Sequence, residues 1–230
     1  GADLIAVVPV GTIAYDAELN QLLIGTGNGA PWNRKLRSEG RGDNLFLCSI
    51  LALDVDTGRY RWHYQINPGE SWDYSAVMPI VQADLRIDGQ QRKVLLQAPK
   101  NGFFYVIDRS NGQLISAEPY VEGITWANRI DLASGRPVEA ANAHYEQGPF
   151  NLSPSPSGAH NWQPMAFSPD TGWVYFSAAE NSATMQGDAQ LEPLPVPVDT
   201  IGVQMRPAPT ARRYLQACDP VANRRAWRVD

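Results

Sequence analysis

Four segments of the sequence place polar side chains beside glycines or prolines, at positions where short apolar runs end. These segments are Gly25–Trp32, Pro68–Tyr74, Gln97–Gly102 and Gly158–Trp162. Together they offer an amide, a carboxylate, an ammonium group and aromatic rings, which are the components of a polar binding site walled by flat side chains. The residues that carry these groups are Asn28, Asp73, Lys100, Asn161 and Trp162.

Each residue, taken alone, also has a purely structural explanation. Asn28 lies between two glycines and is typical of a turn, and Asp73 is suited to cap a turn. Lys100 is compatible with a solvated charge and Trp162 with a core residue. The run Gly25–Gly29 lacks the Gly-x-Gly-x-x-Gly spacing and opens no helical pattern, so it predicts no nucleotide site.

A recurring phrase indicates the elements that would position these residues. It consists of an apolar strand, an Asp or Ser, a turn that ends in Thr-Gly or Asn-Gly, and a second strand with aromatic residues. Clear copies are Ile50–Gly58, Tyr105–Gly112 and Met165–Gly172, and degenerate copies are Ile13–Glu18 and Ala217–Val221. Each copy predicts a β-hairpin, because Gly after Asp, Asn or Thr supplies the positive φ of a tight turn.

The spacing of the clear copies favours a β-propeller. Asp54, Asp108 and Asp170 lie 54 and 62 residues apart, which is one four-stranded unit per copy plus insertions such as Thr125–Pro156. The same hairpin chemistry also occurs in β-sandwiches, and that alternative stays open on the repeat alone.

Composition agrees with an all-β protein and excludes some partners. The 230 residues include 19 Gly, 18 Pro and 7 Trp, and the net charge is −5, which argues against binding to nucleic acid. The stretch Arg34–Arg41 is predicted to be a solvated loop. Cys48 and Cys218 are expected to be buried free thiols, with a disulfide as the alternative.

In order along the chain, the four segments resemble the alcohol-dehydrogenase branch of the pyrroloquinoline quinone (PQQ) quinoproteins. Gly42–Leu47 and Trp62–Gln65 match the same pattern, and the resemblance covers Ala14–Ala178 and Leu215–Trp227. It implies an all-β, eight-bladed propeller of which this chain holds about three to four blades. It also implies a periplasmic enzyme that oxidises alcohols to aldehydes with PQQ and calcium.

The resemblance assigns a role to each site residue. Asn28 and Asp73 would be calcium ligands, since calcium prefers oxygen donors, and Asp73 would also be the general base. Lys100 would hydrogen-bond the quinone oxygens, and Asn161 and Trp162 would line the cofactor. Trp32 is expected near the alcohol entrance.

The sequence departs from the family in ways that support an alternative. Val10 stands where the family has a tryptophan that stacks on PQQ, and there is no Cys-Cys pair for the opposite wall. There is also no Cys-x-x-Cys-His haem motif. The alternative is a non-catalytic quinoprotein-like propeller that acts as a binding or scaffold module; a lectin-like β protein explains the tryptophans but not the ordered motifs.

Three segments are predicted. Residues 1–185 would form the partial propeller, 186–213 a proline-rich loop or linker, and 214–230 a further propeller strand segment. Leu4–Val10 lacks the basic flank of a signal peptide, so a periplasmic location rests on the resemblance. The expected partners are an alcohol and a cytochrome c-type electron acceptor, and an incomplete propeller would associate through its open edges, either with another chain or with the rest of a larger protein.

Overall fold

The computed structural model describes residues 12–187 and 202–230, and these residues are almost entirely β-structure. The helix α1 (Arg34–Ser38) is five residues long. Among the described residues, no helix is long and apolar enough to cross a membrane.

Three four-stranded antiparallel sheets form the body of the chain, and in each sheet the strands neighbour one another in chain order. The first sheet contains β1 (Ile13–Asp16), β2 (Gln21–Gly25), β3 (Ser49–Asp54) and β4 (Tyr60–Gln65), and the second contains β5 (Val81–Ile87), β6 (Gln90–Gln97), β7 (Phe103–Asp108) and β8 (Leu114–Pro119). Two inserted elements follow, the hairpin β9 (Ala127–Asp131) and β10 (Arg136–Glu139), and the strand β11 (Phe150–Leu152). The remaining strands are β12 (Met165–Ser168), β13 (Trp173–Glu180), β14 (Ala183–Gly187), β15 (Val203–Pro207), β16 (Arg212–Asp219) and β17 (Arg224–Val229).

The third sheet has the order β12-β13-β16-β17, and β11-β14-β15 form a smaller sheet beside it. Three four-stranded up-and-down sheets are three propeller blades, which confirms the predicted partial propeller. The insertion predicted between Thr125 and Pro156 contains β9, β10 and β11.

The predicted hairpin turns share one hydrogen-bonding pattern. The Asp54 carboxylate accepts from the Thr57 amide at 2.9 Å, and Gly58, with φ 67°, donates its amide to the Asp54 carbonyl at 2.8 Å. In the second sheet the Asp108 carboxylate accepts from the Ser110 amide at 2.9 Å, and Gly112 donates its amide to the Asp108 carbonyl at 2.8 Å. Asp131 and Gly135 repeat the pattern of Asp54 and Gly58 between β9 and β10, which is a hairpin outside the four-stranded sheets.

Antiparallel order places these turns and the four polar segments at opposite ends of the sheets. The turns join β1 to β2, β3 to β4, β7 to β8 and β12 to β13. Asn28 lies on the connection from β2 to β3, Asp73 on that from β4 to β5, and Lys100 on that from β6 to β7. Successive strands alternate in direction, so these connections share one end, and the segment Gly158–Trp162 leads into β12 at that end as well.

The second sheet is packed on both faces. In β7, Phe103, Tyr105 and Ile107 belong to a core shared with the first sheet. Phe104 and Val106 belong to a core shared with the third sheet. Side chains alternate between the faces of a strand, so every residue of β7 is buried.

The outer faces of the first and third sheets expose apolar side chains. Ile13 is 61% exposed on the first sheet, and Val229 is 61% exposed on the third, where it lies opposite the exposed Leu215. These exposed side chains, together with the open strand edges, are available for packing against further propeller blades.

Two of the sequence predictions for loops are wrong in part. Within the proposed loop or linker 186–213, residues 203–207 form β15, which pairs with β14, and β16 already begins at Arg212. Proline does not prevent this, because Pro207 ends its strand and lacks only an amide donor. Residues 188–201 and Val10 lie outside the described residues.

The other correction concerns Arg34–Arg41, predicted to be solvated. Arg37 donates to the carbonyls of Pro31 and Glu70 at 2.7 and 2.5 Å and to the Asn44 side chain. Burial lowers its pKa. The thiols of Cys48 and Cys218 are free and buried, as predicted.

An ion-pair cluster centred on Arg109 joins the first two sheets at the turn end. The Arg109 guanidinium bonds the carboxylates of Asp16, Glu18 and Asp84 at 2.8–2.9 Å, and its backbone carbonyl accepts from Gln21. The side chains of Arg109 and Asp16 are only 7% and 2% exposed. Removing one partner of such a buried pair leaves the other without a counter-charge.

We expect Arg109→Met to lower the free energy of unfolding by about 3 kcal/mol, because Asp16 would remain buried without its cation. The measurement is the urea unfolding midpoint of the purified chain. Arg225→Met is the matched control: Arg225 in β17 pairs with Glu122 on the connection after β8, but Glu122 is largely exposed, so the expected loss is below about 1 kcal/mol. Equal losses in the two variants would contradict this assignment.

Candidate cofactor site

The segment Glu70–Tyr74 is the centre of the candidate site, and one of its side chains differs from the rest in exposure. Glu70, Ser71, Trp72 and Tyr74 are fully buried, whereas the side chain of Asp73 is 23% exposed. The surroundings therefore leave a single carboxylate of this segment accessible.

A buried carboxyl group shapes the turn around Asp73. The Oε1 atom of Glu70 accepts hydrogen bonds from the amides of Trp72 and Tyr74, at 2.5 and 2.9 Å. Asp73 lies between these two donors with φ 59°, a left-handed conformation that is uncommon outside glycine. Burial raises the pKa of Glu70 to about 7.

The inserted loop between β10 and β11 covers this segment from outside. Trp72 donates its indole N–H to the Ala143 carbonyl at 2.7 Å and stacks on the His144 ring, with centroids 4.6 Å apart. The Tyr145 hydroxyl donates to the Ser71 carbonyl at 2.6 Å. The insertion therefore covers Ser71 and Trp72, the two residues that precede Asp73.

Lys100 is the direct partner of Asp73. Its ammonium group donates to the Asp73 carboxylate at 2.8 Å and to the Asp73 carbonyl at 2.9 Å, and its side chain is only 10% exposed. A solvated lysine, the structural alternative for this residue, is therefore excluded. Burial raises the pKa of Asp73, and the Lys100 charge and hydrogen bond oppose that rise.

Gly158 holds the stem of Lys100 in place. A Cβ atom at Gly158 would lie 2.5 Å from Cγ of Lys100, and the residue has φ 84°. The next residue, Ala159, donates its amide to the Lys100 carbonyl at 3.0 Å. The Gly158–Trp162 segment is thereby fixed directly against Lys100.

Asn28 lies on a neighbouring segment that Cys48 joins to the Asp73 turn. The Cys48 amide donates to the Gly27 carbonyl at 2.9 Å, and the Cys48 thiol contacts the Tyr74 carbonyl. A further backbone bond links Ala76 to Thr26 at 3.0 Å. The half-buried side chain of Asn28 is therefore held next to the turn that presents Asp73.

Asn161 and Trp162 lie on the other side of Lys100. Asn161 is half-buried and donates to the Ser157 carbonyl at 3.0 Å. Trp162 is 77% exposed, so it is not a core residue. His160, which precedes both residues, is buried, and its ring bonds the carbonyls of Ala98 and Gln163, so the backbone on either side of Asn161 and Trp162 is anchored.

The structure thus joins Asp73 and Lys100 directly and brings the segments of Asn28, Asn161 and Trp162 around them. Trp32 is half-buried and packs against the first core. Sequence reasoning missed Glu70 and Arg37. Glu70 lies only three residues before Asp73, but no local pattern distinguishes a buried glutamate from a solvated one.

The donor set matches one side of a site for calcium and a planar, carboxylate-bearing quinone. Asn28 and Asp73 offer two oxygen ligands, whereas calcium takes six to eight. Within the described ranges, no group of three His, Cys, Asp or Glu residues could hold a metal alone. Lys100 offers a cation for quinone oxygens and Trp162 a flat apolar surface, so the residues present fit both groups in part.

Comparison with known proteins identifies relatives with this architecture. Residues 10–118 match the family model for the glucose/ethanol/alcohol dehydrogenase β-propeller domain. Quinohemoprotein alcohol dehydrogenase ADH IIB of Pseudomonas putida is 50% identical over 222 residues, which are 95% of this chain and 32% of the relative.

Solved structures agree with the sequence match. The crystal structure of quinohemoprotein alcohol dehydrogenase from Comamonas testosteroni superimposes with a TM-score of 0.91 at 42% identity, over 98% of this chain and 35% of that one. A europium-containing methanol dehydrogenase gives a TM-score of 0.80 at 31% identity, over 95% of this chain and 38% of that one. The chain therefore spans about a third of the length of these relatives.

The sequence identity to these relatives extends along nearly the whole chain. It therefore includes the propeller sheets and all four site segments in their expected order. This chain belongs to the PQQ-dependent quinoprotein alcohol dehydrogenase family and covers part of its propeller.

Proposed function

We propose that this chain contributes one side of a PQQ and calcium site that oxidises alcohols to aldehydes. The observation that carries the proposal is the 2.8 Å ion pair between Lys100 and Asp73, the accessible carboxylate of an otherwise buried segment. Family membership supplies the reaction class, because the relatives are named alcohol dehydrogenases.

Asp73 is the proposed general base. Its carboxylate faces solvent on one side and Lys100 on the other, so a hydroxyl group of an alcohol can approach the free side and transfer its proton to an Asp73 oxygen. The ammonium group of Lys100 favours the ionised form of Asp73 before the transfer. The chemistry supplied by bound PQQ is acceptance of hydride from the alcohol carbon, and that of calcium is polarisation of an oxygen.

Asn28 and Asp73 are the proposed calcium ligands from this part of the propeller. Calcium's remaining oxygens would come from the quinone, from water or from other residues. The europium named in a related methanol dehydrogenase supports a metal at the family's site. The quinone would lie beside Lys100, with Asn161 and the exposed Trp162 lining it, and Trp32 remains the candidate for the alcohol entrance.

We further propose a periplasmic location and electron transfer to a cytochrome c-type acceptor. The name quinohemoprotein, carried by relatives, pairs a quinone with a haem. The alternative is a non-catalytic binding or scaffold propeller. The Lys100–Asp73 pair favours catalysis, since a scaffold has no need of an accessible carboxylate held beside a buried ammonium.

The proposal predicts calcium-dependent binding of PQQ to the purified chain, with loss of binding in Asp73→Asn. The amide would remove the negative charge that the calcium requires. PQQ absorbance is titrated with and without calcium, and an alcohol-plus-dye assay follows turnover.

Asp43→Asn is the matched control, because Asp43 pairs with Arg136 at the surface, and it should bind as the wild type does. Absence of binding at millimolar calcium would exclude the enzymatic proposal for this chain. Binding without turnover would assign the missing chemistry to the rest of the propeller.

Lys100→Met is predicted to raise the pKa of Asp73 further, because the ammonium charge and hydrogen bond now oppose the effect of burial. The measurement is a pH titration of the Asp73 carboxyl carbon by NMR. Lys93→Met is the control, since Lys93 pairs with the distant Glu18. An unchanged Asp73 pKa in Lys100→Met would show that the ion pair is not formed.

The same change has a consequence for stability. A carboxyl group with a raised folded-state pKa stabilises the fold at low pH, and that contribution is lost as pH rises through the folded-state pKa. Relative to the wild type, Lys100→Met should therefore lose stability as pH rises above about 4.

A further inference from the structure

Glu70 is a buried acidic residue for which the proposed chemistry has no direct use. Its carboxyl group is completely buried, and Oε2 has no hydrogen-bond partner among the described residues. Burying an incompletely paired carboxyl group is unfavourable. The role of Glu70 is therefore to be found in the hydrogen bonds that its other carboxyl oxygen, Oε1, accepts.

Both of those bonds go to the amides on either side of Asp73. The Oε1 atom accepts from the Trp72 and Tyr74 amides, so the Ser71–Trp72 and Asp73–Tyr74 peptide groups are turned toward the Glu70 carboxyl group. Asp73 adopts φ 59°, and its carboxylate accepts a hydrogen bond from Lys100. A left-handed conformation at a non-glycine residue persists only where its surroundings impose it.

The main chain of Glu70 is fixed in turn. Arg37 donates to the Glu70 carbonyl at 2.5 Å, and it also donates to the Asn44 side chain and to the carbonyl of Pro31, which belongs to the segment that carries Asn28. The main chain of Glu70 is therefore tied through Arg37 to the segment that carries Asn28, while its Oε1 atom bonds the turn that carries Asp73.

We propose that Glu70 is a positioning residue for Asp73: by accepting the amides of Trp72 and Tyr74, its carboxyl group holds Asp73 in the conformation that reaches Lys100. The inference rests on the proposed role of Asp73 in the reaction. It concerns the free protein, however, so it can be tested without PQQ.

Two substitutions separate the acceptor atom from the volume of the side chain. Glu70→Gln keeps a carbonyl oxygen that can accept both amides, whereas Glu70→Met fills similar space with no such acceptor. In Glu70→Met the two amides are left without partners, and the turn is expected to leave the left-handed conformation.

The experiment is NMR of the 15N-labelled chain, in which the lysines are Lys35, Lys93 and Lys100. The ammonium signal of Lys100 reports its bond to Asp73, and amide hydrogen exchange at Trp72 and Tyr74 reports the two bonds to Glu70. In Glu70→Met we expect the Lys100 signal to move to the position of a solvated lysine, with amide exchange at least about tenfold faster. Glu70→Gln should retain the Lys100 signal, with exchange within about threefold of the wild type.

Asp16→Asn is the control for a general loss of stability, because Asp16 is a buried carboxylate in the Arg109 cluster, away from the site. It should lower the unfolding midpoint and leave the Lys100 signal in place. Glu70→Met behaving in the same way would overturn the proposal. If Glu70→Met does not fold, Glu70→Gln decides, and a folded Glu70→Gln chain with a solvated Lys100 signal would overturn it.

Failure of the proposed function is distinguishable from failure of this inference. A chain that binds no PQQ but releases Lys100 in Glu70→Met contradicts the enzymatic role alone. A chain that binds PQQ with calcium and keeps its Lys100–Asp73 bond in Glu70→Met contradicts the positioning role alone.

Discussion

The burial of the second sheet between two others determines where the functional groups lie. Each residue of β7 is buried, and successive side chains enter different cores. Because a shift of one residue would exchange the two faces, the register of β6 and β7 is fixed. Lys100, on the short connection between these strands, is therefore placed by packing on both sides and not by its own contacts alone.

The two ends of the sheets have separate roles. The Asp…Gly turns and the Arg109 cluster join strands and sheets at one end. The opposite end carries the connections from β2 to β3, β4 to β5 and β6 to β7 and the segment before β12, and these bring the segments of Asn28, Asp73, Lys100 and Trp162 together. This division lets the connections adopt conformations such as the left-handed turn at Asp73, because the sheets do not depend on them for their pairing.

Desolvation and the charge of Lys100 shift the pKa of Asp73 in opposite directions. Burial of the Asp73 side chain favours a neutral carboxyl group, while Lys100 at 2.8 Å favours the ionised one. A base that accepts a proton during a reaction benefits from such a balance, because it must be ionised beforehand and must still hold the proton afterwards.

The sequence predicted the hairpins well because their turns are determined locally. Asp54 and Gly58 satisfy their own hydrogen bonds within five residues. The same local pattern at Asp131–Gly135 belongs to an inserted hairpin, so turn chemistry predicts a hairpin but not its membership of a blade. Strand β15 was missed because its pairing partner, β14, is separated from it along the chain and proline-rich sequence lies around it.

The site was predictable only through the family's ordered motifs. From the local sequence alone, Lys100 could be a solvated charge and Trp162 a core residue. Which interpretation is correct depends on contacts with segments that are distant in the chain. Arg37 and Glu70 were not predicted, since their partners, Pro31, Asn44 and the amides of Trp72 and Tyr74, become apparent only in three dimensions.

The measurement that tests the central claim most directly is a crystal structure of the chain with PQQ and calcium. The account predicts a calcium ion at about 2.3–2.6 Å from oxygens of both Asn28 and Asp73, with the quinone beside Lys100 and against Trp162. A calcium ion or quinone bound elsewhere, with Asn28 and Asp73 making no contact to either, would contradict the account.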